Sequence, residues 1–60
     1  MFRDRDNVTL CVGDTVVTKD GCIYVIVDFV VYELVTEVVC MDKLTRNFKS
    51  FQPRDLMKIK

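Results

Sequence analysis

The sequence predicts an all-β domain, a small five-stranded barrel with a single 3-10 turn before its last strand, and three observations predict it. First, nine of the nineteen residues from Ile23 to Met41 are valine or isoleucine. Such β-branched side chains lose rotamer freedom in a helix and pack well on a pleated surface. Second, Gly13-Asp14 and Asp20-Gly21 punctuate the first third of the chain at a spacing that leaves room only for short strands. Third, the lone proline stands in Phe51-Gln52-Pro53-Arg54-Asp55-Leu56, where its fixed φ opens a single helical turn.

Taken in order, Arg3-Asp4-Arg5-Asp6-Asn7 alternates in charge and reads as a solvated lead-in over residues 1–7, ahead of one domain over 8–60. Val8 to Val12 alternates apolar and small residues, as a first short strand would. Gly13-Asp14 then bends the chain into Thr15-Val16-Val17-Thr18, a β-branched strand. Lys19-Asp20-Gly21 is a tight turn, because glycine takes a positive φ at little steric cost. The valine-rich run from Cys22 to Met41 exceeds one strand, so a turn is expected between Val30 and Val35, around Tyr32-Glu33; a long bent hairpin with a bulge, or a short helix, also fits the pattern. Asp42 to Asn47 is a polar hairpin loop, and Phe48 to Phe51 is the next strand, with Phe48 and Ser50 on one side and Lys49 and Phe51 on the other. Asp55 is expected to cap the turn after Pro53, and Met57-Lys58-Ile59 alternates as a closing strand.

Sixty residues make one domain. A chain of that length buries only about 60% of the surface that its unfolded form exposes, so added burial through a partner or a second copy matters. Three cysteines, Cys11, Cys22 and Cys40, are isolated from one another and the chain has no histidine, which excludes an intrachain zinc site of the four-ligand kind. An odd number of thiols also argues against a secreted disulfide framework and for a cytoplasmic protein. The lead-in has no apolar core of a signal peptide, and the run from Cys22 to Tyr32, interrupted by Asp28, is too short to span a bilayer.

The order of Gly13-Asp14-x-Val16, Asp20-Gly21, Val25-x-Val27-Asp28-Phe29 and Phe51-x-Pro53-x-x-Leu56 with Ile59 resembles the SH3-like barrels of the KOW, Tudor and related small modules, over residues 12–59. The resemblance implies a non-enzymatic interaction module in the style of free-standing phage or plasmid proteins. A KOW module usually has glycine where this chain has Tyr24, which alters the part associated with nucleic acid. Tudor modules enclose a methylated cation in an aromatic cage, whereas Tyr24, Phe29, Tyr32, Phe48 and Phe51 are partly needed for the core here. The type II dihydrofolate reductase barrel is similar in its turns, but Phe48-Lys49-Ser50-Phe51 stands where that family has Val-Gln-Ile-Tyr. Its folate-binding side chains are therefore missing.

The residues suggest no catalytic site and no cofactor. Without histidine, a Gly-rich phosphate loop or a nucleophile elbow, the usual machinery is lacking. Charge is more informative. Residues 1–42 hold three basic residues against eight acidic ones, and residues 43–60 hold six against one, so net neutrality hides an asymmetry. Lys43, Arg46, Lys49 and Arg54, near Phe48 and Phe51, form the candidate nucleic-acid-binding set.

Apolar residues also exceed what so small a barrel encloses. With Ile23, Val25, Val27 and Phe29 inward, and Leu34, Val38 and Cys40 filling the core beside them, Tyr24, Ile26, Val35, Val39 and Met41 face outward. That stripe is the candidate protein-binding surface, for a protein partner or for a homodimer. Nucleic acid is the alternative partner; no membrane, small-molecule substrate or metal is expected.

Overall fold

In the computed structural model, which describes residues 2–59, the chain forms five antiparallel strands. These are β1 (Thr15–Thr18), β2 (Ile23–Val31), β3 (Thr36–Asp42), β4 (Phe48–Phe51) and β5 (Leu56–Lys58), with a 3-10 turn over Pro53–Asp55 just before β5. They lie in one sheet in the order β4-β3-β2-β1-β5. Among the described residues no ladder joins β4 to β5, so the sheet is open and hydrogen bonds do not make the closure that a barrel requires. It is nevertheless curled. Flat, its two edges would stand about 19 Å apart, four spacings of about 4.8 Å. Only Gln52 and the compact 3-10 turn connect β4 to β5, and a turn rising about 2 Å per residue cannot span that gap.

Local chemistry explains the turns. Gly21 has φ +86°, and its N–H donates to the Thr18 carbonyl at 3.0 Å, closing the three-residue loop Lys19-Asp20-Gly21. At the β2–β3 tip, Tyr32 N–H donates to the Val35 carbonyl at 2.8 Å, which places the reversal where the valine-rich run has to turn. In the β3–β4 loop the Asp42 carboxylate accepts from the N–H groups of Leu44 and Thr45, and Arg46 takes φ +63° to bring the chain back. Gln52, without a side-chain bond, holds the position before the 3-10 turn; Asp55 lies within the turn and does not cap it.

The core consists of Leu10, Val16, Tyr24, Ile26, Val38, Cys40 and Leu56, with Phe29 and Phe51 packed against it. This corrects the side assignment of β2. Tyr24 is 7% exposed and Ile26 is fully buried, whereas Ile23 is 46% exposed. The cause is a bulge: Ile26 pairs with Cys40 and Asp28 with Val39, so Val27 is an extra residue. One extra residue reverses the side on which later residues fall. Phe29 thus reaches the core as expected, while Tyr24 and Ile26 before the bulge point inward with it. Leu34, expected inside, is 96% exposed at the β2–β3 tip.

The first ten residues differ from expectation as well. Among the described residues Val8 to Val12 forms no ladder strand; an isolated bridge pairs Thr9 with Arg3. Nor is the lead-in solvated throughout. Asp4 is buried, and its carboxylate accepts from the N–H groups of Asp6 (2.9 Å), Val8 (2.8 Å) and Lys58 (2.7 Å). Arg5 N–H donates to the Leu56 carbonyl at 3.1 Å, and Phe2 stacks on Phe29 with centroids 4.7 Å apart. The N-terminal segment therefore covers both one end of the core and the outer edge of β5.

Candidate docking face

Alternation along each strand determines what the reverse side of the sheet presents. Since Val38 and Cys40 are buried, their neighbours Glu37, Val39 and Met41 stand on the opposite side. Register then carries that side across the sheet. Met57 lies opposite Val17, Val17 opposite Ile23, Val25 opposite Met41, and Met41 opposite Phe48. Apolar side chains thus run from β5 to β4 without a polar break, and Phe48, at the end of the band, is 68% exposed. On β5 the Arg5 guanidinium rests 3.4 Å from the Met57 sulfur. Toward β4, Ile23 is 46% exposed and Met41 is half-buried.

Of the five residues expected on a docking stripe, Val39 and Met41 lie on this face. Tyr24 and Ile26 do not: they are core residues, and the Tyr24 ring meets Phe51 edge-on at 4.9 Å. Burial foremost, with Cys22 and Asp42 adding to it, pushes the Tyr24 phenol above its ordinary value. Val35 lies at the β2–β3 tip beside Leu34, in a recess shared with Arg3, Pro53 and Arg54. Sequence reasoning missed Val17, Ile23, Val25, Phe48 and Met57. Their alternation is present in the sequence, but placing Ile23 and Val25 outside requires knowing that Val27 is bulged.

The basic residues divide in the same way. Lys43 and Arg46 sit in the β3–β4 loop and Lys49 on β4, with the Lys49 ammonium 5.8 Å from the centroid of the Phe51 ring. Arg54 follows β4 at its other end, in the recess with Leu34, and does not join them. A second recess of about 450 Å³ lies between the two hairpin ends, walled by Gly21, Cys22, Ile23, Asp42, Lys43 and Leu44. At the far end of β2 and β3 those strands and their tip carry Asp28, Glu33 and Glu37, while Arg3 and Arg54 line the recess beside the tip.

Among the described residues, no group of three or more His, Cys, Asp or Glu side chains is placed to hold a metal, and no helix is long and apolar enough to cross a membrane. No buried side-chain nitrogen or oxygen among them lacks a partner, so no orphaned polar group points at a ligand. Cys11 and Cys22 are exposed free thiols; Cys40 is buried, and that burial raises its pKa to about 11. No family model, curated protein or solved structure matches this chain.

Proposed function

We propose that the chain is a protein-interaction module without catalytic chemistry of its own, which docks a protein partner through the outer face of its sheet. The observation that carries this reading is the apolar band from Met57 to Phe48, uncovered at its β4 end. A surface of that kind is costly to leave in water and gains from contact. The strand order and the 3-10 turn before β5 support an SH3-like reading of the fold. The free thiols support a reducing, cytoplasmic setting.

One observation favours a second reading. Phe48 is exposed at the start of β4, next to the loop that carries Lys43 and Arg46, an aromatic ring and cations that would suit a stacked base and its phosphates. Capture from lysate separates the two. Under the first reading, the tagged chain recovers one stoichiometric protein at moderate salt, and Met41→Lys abolishes recovery. Recovery of nucleic acid that weakens steeply with salt, and is lost when Lys43→Glu is combined with Arg46→Glu, would establish the second and remove the first.

A further inference from the structure

The outward residues of the centre of the sheet form a self-complementary series. Along β3 the positions on the outer side are Glu37, Val39 and Met41, and Lys43 follows in the loop just beyond the Met41 end: acid, apolar, apolar, then base. A two-fold axis lying in the interface, parallel to the sheet and perpendicular to β3 at the level of Cys40, would bring Glu37 toward Lys43 of a second copy and set Val39 against its Met41, with both contacts repeated by symmetry. The neighbouring strands follow the same gradient. On β2, Ile23 and Val25 lie toward the basic end, and Asp28 toward the acidic end. We infer that two copies of this chain associate through their outer faces, with β3 antiparallel to its counterpart, as an isologous dimer. The inference rests on reading this face as a docking surface, and it names one occupant.

Charge decides the orientation. Packed in the parallel sense, the two faces would bring Glu37 onto Glu37 and Lys43 onto Lys43, and like charges directly opposed are destabilising. In the antiparallel sense, the net charge of zero is expressed as paired ends. The alternative of joining the free β4 edges is opposed by Lys43, Arg46 and Lys49, which would gather on both sides of one seam. The antiparallel face contact instead brings the loop of Lys43 and Arg46 to the end of the partner that carries Asp28, Glu33 and Glu37.

Size sets the expected strength. A standard stable interface takes about 800 Å² from each partner, which would be about a fifth of the 4245 Å² exposed by this chain. The outer face, roughly 19 Å across the strands and about 26 Å along β2, offers no more than about 500 Å² in projection. Its curl concentrates contact on β2, β3 and β4. The dimer therefore belongs with small, transient interfaces, dissociating in the micromolar range.

The test is sedimentation equilibrium over a concentration series, on the wild-type chain and on charge variants at exposed or half-exposed positions. Wild type is expected as a monomer–dimer equilibrium weakened by salt. Glu37→Lys and Lys43→Glu should each weaken the dimer about tenfold, since each change acts twice. Combined in one chain they should restore affinity to within about threefold of wild type, because the pair is then only exchanged. A wild-type chain that stays monomeric at millimolar concentration overturns the inference, as does a dimer indifferent to the single reversals or one that the double variant fails to restore. Monomeric wild type that still recovers a protein from lysate in a Met41-dependent way would overturn the dimer and leave the docking module standing.

Discussion

The two edges of the sheet are treated differently. Beyond β5, the chain supplies its own cover: Arg5 N–H meets the Leu56 carbonyl, and the Asp4 carboxylate takes the Lys58 N–H across a separation of 54 residues. Beyond β4, nothing among the described residues pairs with the backbone, and Phe48, Lys49 and Ser50 are exposed. An unpaired edge invites association, and proteins blunt it with covering segments or with charge. Here one edge has the cover, and the other has Lys49 with the cations of the adjacent loop. The difference shows which edge of the sheet the fold itself covers and which it leaves open.

Removing the cover should have the largest effect. Asp4→Ala leaves the Asp6, Val8 and Lys58 N–H groups without their charged acceptor, at an expected cost of about 3 kcal/mol in urea unfolding at neutral pH. That is a large share of the roughly 3–9 kcal/mol expected for a domain of this size. If Asp4→Ala unfolds like wild type, the covered edge does not depend on its carboxylate. Acid should weaken the same edge. Burial alone would raise the Asp4 carboxyl, but the N–H groups of Lys58, Val8 and Asp6 outweigh it and hold the pKa below the ordinary 3.8. A depressed folded-state pKa contributes stability that is present above the unfolded value and lost as pH falls through the folded one. Thermal melts of wild type should accordingly fall below about pH 4, and the Asp4→Asn chain should lose that part of the dependence.

The β4 edge should respond in association rather than in stability. Lys49→Val removes the charge from the bare strand, so folding stability should change by less than about 0.5 kcal/mol. Light scattering should show greater self-association, because the edge has lost its charged guard. Unchanged solubility would mean that Lys49 does not guard the edge. The smallest effect is kinetic. Cys40 pairs with Lys49 across β3 and β4 and lies in the core, so Cys11 and Cys22 should react with a thiol reagent at pH 8 while Cys40 waits for local opening. Three thiols reacting together would show that β4 does not shield the core.

Sequence patterns were most legible where the cause is local. Gly13 and Gly21 take φ of +94° and +86°, the values that make glycine the economical choice at a turn, and Pro53 begins the 3-10 turn at the expected place. The β-branched run became β2 and β3, with the reversal between Val30 and Val35 despite the lack of any turn residue there. The candidate docking face was legible only in part. Val39 and Met41 follow from simple alternation, but Tyr24 and Ile26 went to the wrong side because alternation was carried unbroken through Val27. Asp4 looked like one of several charges in a solvated lead-in, and nothing near it in sequence points to Lys58.

By itself, then, the sequence determined that this chain is all-β, where its strands break, and that a helical turn precedes the last of them. Those properties come from backbone preferences that each residue carries with it. Tertiary structure decided which side of β2 is core, which edge is covered, and that the remaining apolar residues line up from Met57 to Phe48. A bulge and a long-range hydrogen bond depend on the partner strand's register, and register is set only when the whole sheet packs its core.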